Sequence, residues 1–114
     1  MTWEPLKGML SPMGEHVWDL ETIFAALESA RERKMVILGG DVLDDNFHYI
    51  GENWYYEPVY DISFSRFSKI NTDGSYIKAS DYVNLWKTNG NNVYFTLVLE
   101  DVMKAYIQTI ANKN

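Results

Sequence analysis

A chain of 114 residues, 46% hydrophobic and 15% aromatic, can bury roughly two thirds of its unfolded surface in one core and is too apolar for intrinsic disorder. The absence of cysteine excludes a disulfide scaffold, a thiol nucleophile and cysteine-ligated zinc or iron–sulfur centres. The net charge of −6 is concentrated: Asp41, Asp44, Asp45, Glu52, Glu57 and Asp61 lie in Met35–Ile62, which has no Lys or Arg, while the other ten acids are balanced by the ten basic residues.

Lys7–Gly14, punctuated by Gly8, Pro12 and Gly14, reads as an irregular entry. Asp19 can accept from the free amides of the turn after it and so predicts a helix start. Leu20, Ile23, Phe24, Leu27 and Ala30 then recur at helical spacing, and Arg31, Arg33 and Lys34 suit the negative end of the helix dipole. Met35–Leu38 is a short apolar run, expected to be a buried strand closed by a tight turn at Gly39–Gly40. Two further strands are expected around Phe47–Ile50 and Trp54–Glu57, the second ended by Pro58. Val59–Phe67 fits a strand or an irregular segment equally.

Asp73 or Ser75 is the expected cap of a second helix with Tyr76, Ala79, Tyr82, Val83 and Trp86 on one face, stopped at Asn89–Gly90. Val93–Leu99 is dense in β-branched and aromatic residues and is expected at the centre of the sheet, with Leu97 buried. Glu100–Ala111 carries Val102, Met103, Tyr106, Ile107 and Ile110 at helical spacing behind two acids, which suit a helix N-terminus. With no repeat or linker, residues 1–114 read as a single α+β domain: about three helices packed on a small mixed or antiparallel sheet of four to five strands.

No stretch reaches the ~18 consecutive apolar residues of a membrane span. Met1–Leu20 contains Glu4, Lys7, Glu15 and Asp19 and lacks the apolar core of a secretory signal. A cytoplasmic protein without membrane association is expected. The acidic segment repels phosphates, which argues against nucleic-acid binding. Gly39-Gly40-Asp41 lacks the spacing and the Lys of a phosphate loop, and Asp41, Asp44, Asp45 and Asn46 lack the spacing of a calcium loop. His48 could join Asp44 or Asp45 as a metal or acid–base pair, although a lone histidine among aromatics is more often a packing or surface residue. His16 reads likewise. Ser63, Ser65 and Ser68 have no nucleophile elbow around them. Neither a catalytic residue, a cofactor nor a metal is expected.

Phe47, Tyr49, Trp54, Tyr55, Tyr56 and Tyr60 place six of the chain's 17 aromatics in the acidic segment. Side chains alternate along a strand, so Tyr55 faces away from Trp54 and Tyr56. An exposed ring beside carboxylates combines a stiff anchor with charges that guide encounter. Some of these rings also serve a small core, and the acids also serve solubility. Asp41, Asp44, Asp45, Glu52, Tyr55 and Glu57 are therefore the candidate partner-binding residues.

Gly39-Gly40-Asp41-Val42 after a short apolar strand, Asn53-Trp54-Tyr55-Tyr56-Glu57 a dozen residues on, and the apolar Val93–Leu99 resemble the immunity protein 40 (Imm40) family of bacterial polymorphic-toxin immunity proteins. The resemblance spans about Met35–Leu99. It implies a small α+β cytoplasmic protein, without catalytic residues, that neutralises the cognate toxin domain encoded beside it. An acidic inhibitor would suit a basic toxin, such as a nuclease. Two other readings remain: a small metal-dependent enzyme using Asp41, Asp44, Asp45 and His48, or a structural subunit of a homo-oligomer with an apolar self-interface.

Overall fold

The computed structural model describes residues 8–61, 63–90 and 92–112. They run in the order β1 (Met9–Leu10), β2 (His16–Asp19), α1 (Ile23–Glu32), β3 (Met35–Leu43), β4 (Tyr49–Tyr55), α2 (Phe64–Thr88), β5 (Tyr94–Phe95), β6 (Val98–Asp101) and α3 (Val102–Ala111). The α+β class and the three helices are those expected, and every strand pairing is antiparallel. Six strands form where four to five were expected, because the entry segment contributes β1 to a hairpin with β2 and the last apolar run is divided in two.

The centre of the sheet is β3. One of its edges carries β4, with Gly39 opposite Tyr55 and Leu43 opposite Tyr49. Its other edge carries first β6, against Met35–Gly39, and then β5, against Val42 and Leu43. The single central strand expected over Val93–Leu99 is thus two short strands on one side of β3, and only β5 has neighbours on both sides. The break has a local cause. Asp41 donates its amide to Thr96 Oγ1 at 2.8 Å and accepts the Thr96 amide at 2.9 Å, an exchange that spends the hydrogen-bonding groups of Thr96 outside the ladder. Leu97, expected buried, is half-buried at the edge of the core.

No tight turn forms at Gly39–Gly40: β3 continues through both, with a register shift on either side. These positions are glycine because their neighbours are too close for a side chain. A Cβ on Gly39 would lie 2.3 Å from the Trp54 carbonyl oxygen, and one on Gly40 would lie 2.0 Å from that of Thr96 and 2.5 Å from the Trp54 ring. The two strands expected around Phe47–Ile50 and Trp54–Glu57 are one strand, β4, which continues through Gly51 at φ +68°. Phe47 and His48 fall in the turn before it.

Alternation along β3 feeds two cores. Ile37 and Val42 pack with Trp18, Ile23, Leu27, Val83 and Phe95 beneath α1 and the C-terminal half of α2. Val36 packs with Phe67, Val102 and Ala105 on the side of α3. The second helix spans both because it begins eleven residues before Ser75, at Phe64, and neither Asp73 nor Ser75 is its cap. Asn71, a poor helix former, is held there by its own side chain: it accepts from the Tyr56 hydroxyl and the Val59 amide and donates to the carbonyls of Val59 and Phe67. Tertiary hydrogen bonds outweigh local propensity. Val59–Asp61 is irregular, and the helix follows it.

The first helix begins three residues later than its stripe implied. Asp19 Oδ1 does accept from the amides of Glu21 and Thr22 and from the Thr22 hydroxyl, holding the turn that leads into α1. In α3 the capping acid is Asp101, whose side chain accepts the Met103 amide at 2.9 Å, while Glu100 and Asp101 themselves close β6.

Candidate partner-binding surface

Of the six residues singled out in the acidic segment, Asp44 and Asp45 precede β4, Tyr55 and Glu57 stand at its far end, Glu52 lies within it and Asp41 lies across from its middle. At the first end Asp44 and Asp45 lie in the turn after β3. Asp44 Oδ1 accepts the amides of His48 and Asn46, both at 2.9 Å, and these bonds hold its carboxyl below the usual aspartate range. Asp44 therefore shapes the loop. Its Oδ2 stands 3.9 Å from Nδ1 of His48, a side chain that is 79% exposed. Asp45 is exposed and lines a shallow depression with Asp19, Glu21 and Tyr94. Phe47 stacks on Tyr94 with ring centroids 4.8 Å apart, which fixes the turn against β5.

Asp41 lies in the bulge of β3, its carboxylate near Tyr49. The Tyr49 hydroxyl donates to Glu15 at 2.7 Å, and this bond first, then the desolvation and the neighbouring charges of Glu15 and Asp41, hold the phenol above its ordinary pKa. The Asp41, Asp44, Asp45 and His48 set does not converge. Among the described residues no group of three His, Asp or Glu side chains is placed to hold a metal ion.

Tyr55 and Glu57 occupy the other end. With seven residues in β4, the Tyr49 and Tyr55 ends stand on the order of 20 Å apart, well beyond the ~8 Å Debye length of physiological salt. Asp44 and Asp45 are therefore screened from Glu57, with Asp41 and Glu52 lying between. Trp54 is buried and stacks on Tyr82 of α2, with ring centroids 4.8 Å apart, so strand alternation turns Tyr55 outward, and it is 67% exposed. Beyond the strand the chain turns, and Tyr56 falls half-buried into the α3-side core, with its hydroxyl 3.0 Å from Asn71 Oδ1. Glu57 is exposed, and Glu52 belongs to β4 with its side chain outside the described residues.

Two other groups join Tyr55 that the sequence did not single out. Val98, 53% exposed, lies across Gly39 from Tyr55, so the two flank a residue without a side chain. Glu100, two residues along β6 and on the same face as Val98, borders a cavity under α3. Only pairing register reveals these neighbours. Among the described residues neither Asp41, Asp45 nor Glu57 forms an ion pair with a Lys or Arg, whereas Asp61 pairs with Arg66 and Asp73 with Arg31. No described helix is long and apolar enough to cross a membrane.

No curated protein sequence and no solved structure matched the chain. The model of the family described as immunity protein 40 matches residues 7–99, from the entry segment into β6. With β3, its paired glycines, the exposed Tyr55, β5 and the first half of β6 inside that match, the chain belongs to the immunity protein 40 family.

Proposed function

We propose that this immunity protein neutralises a cognate toxin domain by binding it, without catalysis, through the outward face of β4 and the acids at either end of that strand. Membership of the family implies an immunity protein. The observation that supports this particular surface is Tyr55: a large ring, 67% exposed, on a strand whose next residue inward is a buried Trp54. A stiff aromatic on a rigid strand loses little entropy on binding, and nearby carboxylates with no Lys or Arg partner among the described residues favour a basic partner over an acidic one. A basic toxin, of which a nuclease is the leading example, fits this charge. The protein acts in the cytoplasm, where such a toxin would do its damage, and needs no cofactor, membrane or nucleic acid.

The test is binding of the purified protein to the toxin domain encoded beside its gene, with Tyr55→Ala as the probe. Loss of a hot-spot ring costs about 2 kcal/mol or more, so affinity should fall about thirtyfold, mostly in dissociation rate. Wild-type affinity retained by this variant, with its fold intact, would place the interface elsewhere.

A further inference from the structure

We propose that the cavity between α3 and the Pro58 segment is a socket for one basic side chain, a lysine or an arginine, of the toxin partner, with Glu100 as its counter-charge; this rests on the proposed neutralisation by binding. The cavity measures about 210 Å³ and is lined by Leu38, Pro58, Glu100, Ala105, Gln108 and Thr109, with Asn112 at its rim. Its chemistry is divided. Leu38, Pro58 and Ala105 form an apolar wall, while Gln108, Asn112 and the Thr109 oxygen supply acceptors around one carboxylate. Thr109 already donates its proton to the Ala105 carbonyl at 2.8 Å, so its oxygen is left to accept.

Glu100 Oε1 is buried and has no hydrogen-bond partner among the described residues. A buried carboxylate oxygen without a donor is costly, and a cation that brings donors removes that cost. The site is smaller than the ~300 Å³ at which small-molecule pockets begin. A single carboxylate supplies too little charge for a divalent ion, which takes several carboxylate and carbonyl oxygens. An aliphatic stem ending in a cationic head matches both walls at once.

The cavity also adjoins the surface described above. Leu38, which lines it, accepts the Tyr56 amide through its carbonyl at 2.8 Å, and the next residue, Gly39, pairs with both Tyr55 and Val98. Alternation puts Tyr55 and Glu100 on one face of the sheet, because Trp54 and Leu99 beside them point into the other core. A partner seated on Tyr55 thus has the socket within reach of its next basic side chain.

The experiment titrates the isolated protein with n-butylammonium, propylguanidinium and, as uncharged control, n-butanol, following the backbone amide resonances of Glu100, Ala105, Gln108 and Thr109. Saturable shifts with both cations, none with n-butanol, and their loss in Glu100→Gln are expected. Gln108→Lys, which leaves β6 untouched and tethers an ammonium at the rim, should abolish the response as well. Shifts that never saturate, or that survive Glu100→Gln, would overturn the socket. The second arm measures affinity for the adjacent toxin domain, where Glu100→Gln should weaken binding at least tenfold. A toxin that binds wild type and variant equally also overturns the proposal. A toxin that does not bind wild type refutes neutralisation by binding and with it the socket's assigned occupant, while the amine titration reports separately whether the cavity takes a cation.

Discussion

The Ser75 hydroxyl joins helix to sheet, accepting the Ile37 amide at 3.0 Å and donating to the Thr72 carbonyl at 3.2 Å in a fully buried position. Along Met35–Leu38 the edge of β3 has no β4 beside it, so this side chain takes the place of a strand partner. Ser75→Ala leaves the Ile37 amide unsatisfied and should cost about 1–3 kcal/mol, read as a lower urea midpoint at unchanged slope. In sequence, a serine just before an apolar repeat looks the same whether it caps a helix or anchors its middle, so Ser75 was misplaced. Tyr56 is expected on the face of Trp54 but packs, half-buried, in the α3-side core instead, because it lies past the end of β4. That burial raises its pKa above the usual phenol value. The neutral ring is thus favoured in the folded state, and its contribution is fully present below the unfolded pKa of about 10 and lost as pH rises through the folded pKa. Urea melts on either side of about pH 10 should show wild type losing stability with rising pH more steeply than Tyr56→Phe.

At the level of elements, periodicity located every helix, and apolar runs located β3 and the β5–β6 return, because those signals arise from burial within one element. What stayed hidden was the joining of elements. The division of Val93–Leu99 depends on Asp41, 55 residues upstream of Thr96, and the true start of α2 depends on Tyr56 and Val59. Phe95 fills the core between β2 and β3 and is fully buried, opposite Trp18 and Val42. Phe95→Ala should therefore cost about 3–5 kcal/mol. Leu97→Ala, at a half-buried break between strands, should cost less, and a urea melt that reversed the order would move the core toward β6. Gly40→Ala should be at least as damaging as Phe95→Ala, since its Cβ has only backbone and a buried indole to displace.

For the whole molecule, composition showed where the net charge sits in the chain, but the fold spreads that charge along a strand, with Asp44 and Asp45 before it and Glu57 past its far end. Pairing with a basic toxin would then be steered most by the acids nearest the contact, since salt screens the farther ones. Replacing Asp44 and Asp45 together with Asn should lower the association rate at low salt and flatten its salt dependence, while leaving dissociation to Tyr55. Coincident salt slopes for variant and wild type, in stopped-flow traces against the adjacent toxin domain, would assign those acids to solubility alone. The candidate surface was half legible for the same reason: Tyr55 and Glu57 are neighbours in sequence, whereas Val98 and Glu100 reach them only through β3. The order of synthesis gives that pairing a further consequence. Leu43 ends β3, yet the strands that cover its second edge finish only at Asp101, 58 residues later. At about 5–20 residues per second, the ribosome takes roughly 3–12 s to deliver them. Throughout that interval the nascent chain displays an open edge and has no Glu100, so neutralisation as proposed above would rest on copies already released and on the stock held before the toxin arrives.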